Sequence, residues 1–489
     1  MRVLGDLLVD VEVLSKESFG EIEVGAVKTD SREVEEGDLF IAYKGVETDG
    51  HEYIKQAIEK GVKAVVGEKD MELDVPYIQV KNGRLAWAKI ESAWYGQPER
   101  KLRMIGVTGT DGKTTTVSLI YNILQAAGKK VGMLSTVKAK IGDEAKSTGL
   151  HTTSPNPKVF FKFLSEMVEA GLEYAVVEVT SHALVQDRFG DSQFEVGVIT
   201  NIASEHLDLH KSKEEYRKAK FKLVDKSEKA VLNMRTAGLE ELKIDRERIV
   251  LFDRRREVAE TKYVELEERV YQQFEMMYKG KWRVFKSQLL GEYNQENILA
   301  ASKVAELLGI EVEKVQMGVG KLASVEGRFE KIANDKDLHV VVDFAHTAQS
   351  MREVLRLVRE ELLEEGKRII VVFGCAGERD ASKRRPMGQV AVALADLSII
   401  TAEDPRSEEM DEIFDEIEKG CKIARGKRGK DYLRVDDRRE AIEEAIDKAD
   451  KGDWVMILGK GHEQSLNMGG GEMPWSDVEV VREALSGGE

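Results

Sequence analysis

The sequence predicts an α/β protein of three domains with mostly parallel sheets, and three observations predict it. The chain has 489 residues, more than a single hydrophobic core usually sustains. Short apolar runs of strand length alternate with helix-forming stretches along its whole length. One of those runs, Met104-Ile105-Gly106-Val107, passes through a glycine-rich loop directly into an apolar helix-forming segment, VSLIYNILQAAG. Sheets built from strand–loop–helix units gather their ligand sites at the carboxyl ends of the strands.

In chain order, residues 1–97 alternate DLFIAY, KAVVGE and VPYIQV with the helical HEYIKQAIEKG, a small α/β domain. Gly96-Gln97-Pro98 is a turn signal and marks its boundary. Residues 98–327 form the central domain. After the glycine-rich loop its strands are expected in KKVGMLST, EYAVVEV and FEVGVITNI, each followed by a helix. SKEEYRKAKFKLV reads as a helix with Ser212 as N-cap. A β-rich patch follows around residues 262–288, then a helix entered from a loop, GEYNQENILAASKVAELLG, and VEGRFE closes the domain. Residues 328–489 make the third domain, through HVVVDFAHTAQSM, RIIVVFGCAG, DLSIITAEDPR and DWVMILGKGHE.

Composition narrows the function classes. Hydrophobic residues make up 42% and charged residues 34%, a soluble globular profile. A net charge of -16 argues against non-specific nucleic-acid binding, though local loops can still be positive. No apolar run approaches the ~20 residues of a membrane span, and the start lacks the basic flank and cleavage pattern of a signal peptide. Two cysteines, Cys375 and Cys421, exclude a disulfide framework and a thiolate zinc site. The expected setting is a reducing cytoplasm, and the expected state a monomer.

The loop G-x-x-G-K-T spans residues 109–114. Its glycines let successive N–H groups turn toward an anion, and the following helix adds its positive end. Lys113 can reach outer phosphates, and the Thr114 hydroxyl is placed for a magnesium ion. The spacing is not the standard Walker pattern, which needs a glycine where Val107 stands. The alternative is a tight turn without ligand, against which a lysine and three threonines speak. Asp111 is the odd residue. A carboxylate facing phosphates would cost about 1 kcal/mol to several at an effective dielectric near 20. It is therefore expected to point sideways, taking loop N–H groups or a cation, or to sit near magnesium through water.

TGTDGKTTT resembles the ATP loop of the Mur ligases, the ATP-dependent amide-forming enzymes of peptidoglycan synthesis. DSREVEEGDLFIA (30–42), HTTSP (151–155), EVTSHALVQDR (178–188), TNIASEHLDLH (200–210), YRKAK (216–220), YNQEN (293–297), EGRFE (326–330), DFAHT (343–347), GERD (377–380), EDPR (403–406) and GKGHE (459–463) follow in the family's order across nearly the whole chain. The set is most similar to the branch that adds the third amino acid to UDP-N-acetylmuramoyl-L-Ala-D-Glu. The resemblance implies a UDP-substrate domain, a central P-loop-type ATPase domain and a Rossmann-like C-terminal domain. It implies a substrate carboxylate attacking the γ-phosphate of ATP, then an amine displacing phosphate from the acyl phosphate.

On this resemblance ATP is held by Gly109, Thr110, Asp111, Gly112, Lys113, Thr114 and Thr115, with Asn294, Arg328, Asp343 and His346. Lys113, Glu178, His206 and Lys220 are the implied catalytic set. Thr114, Glu178, His206 and Lys220, the last as a carbamate, are the implied Mg2+ ligands. Read without the family, Lys218, Lys220 and Lys222 are a solvated basic face, and Glu178 and His206 a solvated carboxylate and a structural histidine. Ser31, the segment Val46 to Thr48, Thr152, Thr153, Thr180, Gln186 and Arg188 are the implied contacts to the UDP-N-acetylmuramoyl dipeptide. DSRE by itself is also an ordinary turn. Thr180 replaces a more usual serine. Ala348 and Gln349 replace proline and aspartate, which puts the turn there in question.

Arg379, Glu403, Asp404, Pro405, Arg406, Gly459 and Glu463 match the positions that hold the incoming diamino acid, lysine or meso-diaminopimelate. The commoner loop reads DNPR. Asp404 in place of asparagine adds negative charge where the far end of the amino acid is expected, which favours lysine. Arg406 suits a far carboxylate and favours diaminopimelate, but the balance of the two falls to a basic diamino acid, lysine first. Asp404 capping a turn before Pro405 is the alternative. Other readings are MurF, a folylpolyglutamate synthase, an archaeal pseudomurein ligase, or a non-catalytic nucleotide-dependent assembly protein.

Overall fold

The computed structural model describes residues 1–14, 19–45, 48–142, 144–148, 154–202, 212–242, 244–266 and 269–487. The chain divides into two compact units. One comprises Met1–Thr108, Lys129–Val198 and Ala219–Ala230, the other Gly109–Gly128, Ile199–Lys218 and Val231–Glu489.

The first unit opens with a parallel sheet of Val27–Lys28, Leu39–Ile41, Ala64–Gly67 and Tyr77–Gln79 in that order. Leu39, Ile41, Ala64 and Val66 face one apolar core and Phe40 and Val65 another, the alternation expected of a strand covered on both sides. Six neighbouring strands of its larger, eight-stranded sheet run Glu144–Ser147, Lys138–Ile141, Val131–Leu134, Tyr174–Glu178, Arg103–Thr108, Phe194–Ile199. Tyr174–Glu178 is parallel to both its neighbours, and every residue in it is buried. KKVGMLST departs from expectation. Its strand is followed by an antiparallel hairpin, Lys138–Ile141 with Glu144–Ser147, before the helix Pro157–Glu169. The reason is legible afterwards: KAKI alternates half-buried lysines with buried Ala139 and Ile141, a period of two, and Gly142 turns at φ 61°.

In the second unit, helix Lys113–Ala126 packs with Glu292–Leu307 and Val312–Lys321. Gly318 lets the backbones meet, because an added Cβ would lie 2.5 Å from the Ile123 Cα. Val258–Leu266, Arg269–Tyr278 and Lys281–Ser287 form an antiparallel meander, where the β-rich patch was expected. The C-terminal sheet runs Glu330–Ile332, His339–Asp343, Trp454–Leu458, Ile369–Phe373, Leu397–Ile400, Tyr432–Arg434, parallel except for its first strand. Val341, Val371, Phe373 and Met456 face one core, and Val340, Val342, Ile370 and Ile457 the other. Apolar runs without polar alternation are what a sheet covered on both faces requires. Among the described residues no helix is long and apolar enough to cross a membrane.

Candidate active site

The glycine-rich loop is locked by backbone and side-chain bonds within the second unit. A side chain at Gly109 would run into Thr200 Oγ1, and one at Gly112, where φ is 79°, into Asn297 Oδ1. The Asp111 N–H donates to Asn201 Oδ1 at 2.9 Å, and its carbonyl accepts from Thr200 Oγ1 at 2.6 Å and Asn201 Nδ2 at 3.2 Å. Lys113 folds over the loop, its Nζ donating to the carbonyls of Thr110 at 2.7 Å and Gly109 at 3.2 Å. Thr110 Oγ1 lies 3.2 Å from the Tyr216 hydroxyl. Thr114 and Thr115 are buried in the first helical turn.

The Asp111 carboxylate accepts no hydrogen bond among the described residues, so the expected bonds from loop N–H groups do not form. Its charge instead acts on Asp343 and Glu353, whose carboxyls burial pushes up and Asp111 pushes further. Asn294 reaches the loop through a relay: its Oδ1 accepts from Asn297 Nδ2 at 3.2 Å, and Asn297 backs Gly112. Asn297, Thr200 and Asn201 are loop supports that spacing alone did not single out, although all three lie inside the motifs TNIASEHLDLH and YNQEN.

Asp343 ends its strand with the carboxylate accepting from the Phe329 N–H at 2.6 Å and the Ala345 N–H at 2.7 Å. Arg328 lies over the Phe344 ring at 4.6 Å, and the rings of His346 and His462 approach the same ring at 4.6 and 5.0 Å. Burial beside Arg328 and Lys460 pushes the His462 imidazole down to about 3, so it is neutral. The turn after DFAHT is intact without proline: Thr347 and Ser350 form a reciprocal capping box at the start of Ala348–Leu357.

The C-terminal loops interlock through glycines. Gly374 admits the Thr401 carbonyl, Gly377 admits the Pro405 carbonyl, and Gly459, at φ 114°, admits the Glu403 carboxylate. Glu403 is buried, its Oε2 has no hydrogen-bond partner among the described residues, and burial pushes its carboxyl up to about 7. Arg406 donates from Nη1 to the Gly377 carbonyl at 3.0 Å. Asp404 is paired within the protein. Its oxygens accept from the buried Lys460 Nζ at 3.0 and 2.8 Å, and Oδ1 also accepts from the Asn467 N–H at 2.9 Å. The charge thought to favour lysine is therefore met inside the protein. Glu463 also faces Lys460, at 2.5 Å.

In the first unit, Glu178 ends its strand buried, with Oε2 accepting from the Thr136 N–H and Oγ1, each at 3.2 Å. Thr180 caps helix Ser181–Val185 and bonds Ser154, whose Oγ also donates to the Glu178 carbonyl at 3.0 Å. Arg188 donates to Gln186 Oε1 at 3.0 and 2.8 Å and to the Ser154 carbonyl. Ser31 is buried and donates to Gln56 Oε1 at 2.7 Å. Lys220 is 1% exposed, unlike Lys218 and Lys222, so it is not part of a solvated face. Ser212 caps its helix, accepting from the Glu215 N–H at 3.2 Å. Val46, Thr152, Thr153 and His206 lie outside the described residues.

Three family profiles match: the Mur ligase family catalytic domain over residues 23–95, the Mur ligase middle domain over 107–305, and the Mur ligase glutamate ligase domain over 327–461. A UDP-N-acetylmuramoyl-L-alanyl-D-glutamate–2,6-diaminopimelate ligase of Clostridium tetani is 36% identical, covering 97% of this chain and 98% of its own. The ligase of the same name from Aquifex aeolicus is 37% identical over 95% of this chain and 94% of its own. A solved structure of a ligase so named aligns with a TM-score of 0.66 at 26% identity, covering 99% of both chains. A MurF ligase of Thermotoga maritima in complex with ADP shares the fold, with a TM-score of 0.62 at 20% identity over 95% of this chain and 97% of that one.

Proposed function

The chain belongs to the Mur ligase family of ATP-dependent amide-forming enzymes, and we propose that it adds meso-diaminopimelate to UDP-N-acetylmuramoyl-L-Ala-D-Glu in the cytoplasm. The observation that carries the choice of amino acid is Asp404. With its carboxylate bonded to Lys460 and Asn467, its charge is offset inside the protein rather than turned on a far carboxylate, which the guanidinium fork of Arg406, anchored through Nη1 on Gly377, suits. The curated relatives above carry the same substrate in their names.

In this reading the domains divide at 97/98 and 327/328, and each part has a task. Loop N–H groups of 109–115 take the phosphates, and Lys113 exchanges two carbonyls for phosphate oxygens. Asn294, Arg328, Asp343 and His346 hold the rest of the nucleotide. Ser31, Thr180, Gln186 and Arg188, with Thr152 and Thr153, hold the UDP substrate. Thr114, Glu178 and Lys220 as a carbamate offer only oxygen donors, the hard set that suits Mg2+, and the resemblance adds His206 as a further ligand. The burial of Lys220 fits a side chain that works inside the site. Bound magnesium supplies charge neutralisation for the phosphoryl group. Arg379, Glu403, Arg406, Gly459 and Glu463 orient the diamino acid, whose amine displaces phosphate from the acyl phosphate.

Phosphate release with ATP, magnesium and UDP-N-acetylmuramoyl-L-Ala-D-Glu, against meso-diaminopimelate, L-lysine and L-ornithine, tests this. Release with diaminopimelate alone is expected. Preference for lysine would mean that Asp404 is felt by the substrate despite Lys460. No release with any amino acid would reject the ligase assignment for this chain.

A further inference from the structure

Lys460 touches none of the implied substrate contacts above except through Asp404 and Glu463, and it is among the most deeply buried cations of the second unit, at 1% exposure. Its three N–H donors meet Asp404 Oδ1, Asp404 Oδ2 and Glu463 Oε2. The two carboxylates hold it protonated against the pull of burial. Asp404 sits at φ 45°, in the left-handed region where asparagine and aspartate are tolerated. It is held there from three sides. Asn467 donates its N–H to Asp404 and accepts the Arg406 N–H at 3.2 Å, and the Gly377 N–H donates to the Asp404 carbonyl at 2.9 Å. The conformation admits either Asn or Asp. The charge does not, unless something cancels it: a bare carboxylate beside Arg406 would compete for the guanidinium and repel a second carboxylate.

We propose that Lys460 is a specificity-determining residue, acting through Asp404. It pairs the Asp404 carboxylate, sharing its one charge with Glu463, so that the loop Glu403–Arg406 accepts an amino acid with a far carboxylate in preference to one ending in an ammonium. This rests on the reading that the far end of the incoming amino acid lies at that loop. Lys460 touches no reacting atom and is a positioning residue.

The test is the ratio of kcat/KM for meso-diaminopimelate to that for L-lysine, which a merely structural role would leave unmoved. Lys460→Met leaves Asp404 uncancelled, and the ratio is expected to fall about tenfold or more. In Lys460→Met with Asp404→Asn, the charge is gone and the ratio returns to within about threefold of the unsubstituted protein. Asp404→Asn alone is expected to move the ratio toward lysine by no amount and toward diaminopimelate by less than about tenfold. A larger rise would show that the substrate already feels the Asp404 charge, which overturns the proposal. So would an unchanged ratio in Lys460→Met. If Lys460→Met does not fold, Asp404→Asn decides. The unsubstituted protein, run in parallel, reads the ligase assignment itself. Its inactivity with both amino acids would reject that assignment and the proposal with it.

Discussion

Gly112 tolerates no side chain, for two independent reasons: its φ of 79° and the Asn297 Oδ1 lying where a Cβ would go. Gly112→Ala is expected to raise the KM for ATP about tenfold or more, through a loop strained by about 1–3 kcal/mol, with the fold retained by circular dichroism. Glu403 gives a pH signature. Its carboxyl is raised to about 7 in the folded state, from an ordinary 4.5. The folded protein then binds more protons than the unfolded chain between those values, so stability falls as pH rises through them. The loss is about 1–3 kcal/mol, complete above pH 7 and absent below about 4.5. Urea unfolding at pH 5 and pH 8 should show this drop in the unsubstituted protein and a smaller one in Glu403→Gln.

Helix Val312–Lys321 meets Lys113–Ala126 at Gly318, where an added Cβ would press on the Ile123 backbone at 2.5 Å. Backbone cannot swing aside as a side chain does, so Gly318→Ala must separate two helices. It should cost about 1–3 kcal/mol in urea midpoint terms. A neutral result would mean the helices slide at little cost. At the other end of the second unit, Ala348–Leu357 starts from the Thr347–Ser350 capping box. Thr347→Ala should cost about 1 kcal/mol. The helix Lys113–Ala126 was readable in advance because helix periodicity is local, whereas Val312–Lys321 and the capping box, which replaces the turn put in question at Ala348, were not singled out. The hairpin Lys138–Ser147 was missed for the converse reason: four residues of alternating pattern carry little weight against a repeating strand–helix rhythm.

The C-terminal sheet is tied at its carboxyl edge by one buried cation. Arg438 donates to both Asp477 oxygens, at 2.8 and 2.7 Å, and to the carbonyls of Ala402 and Leu458 at 3.2 and 3.0 Å. It thereby joins the ends of two strands to the last helix, Asp477–Ser486. Arg438→Met strands a buried carboxylate and is expected to cost about 3–5 kcal/mol, seen as a large fall in Tm. The double replacement with Asp477→Leu should recover much of that loss.

The sequence by itself determined the fold class, the family and the glycine-rich loop between strand and helix on which the proposed phosphate contacts rest. These rest on local spacing, and a glycine, a lysine and a threonine at fixed offsets mean the same thing wherever the loop sits. Only the tertiary structure decided which charges are already answered. Asp404 and Lys460 lie 56 residues apart and meet in a buried pair. Gly112 and Asn297 meet across a longer separation, and Lys220 proved buried on a helix whose neighbouring lysines face solvent. Residue type states that a charge exists. Its partner and its burial, which set what that charge does, are long-range contacts that no local pattern encodes.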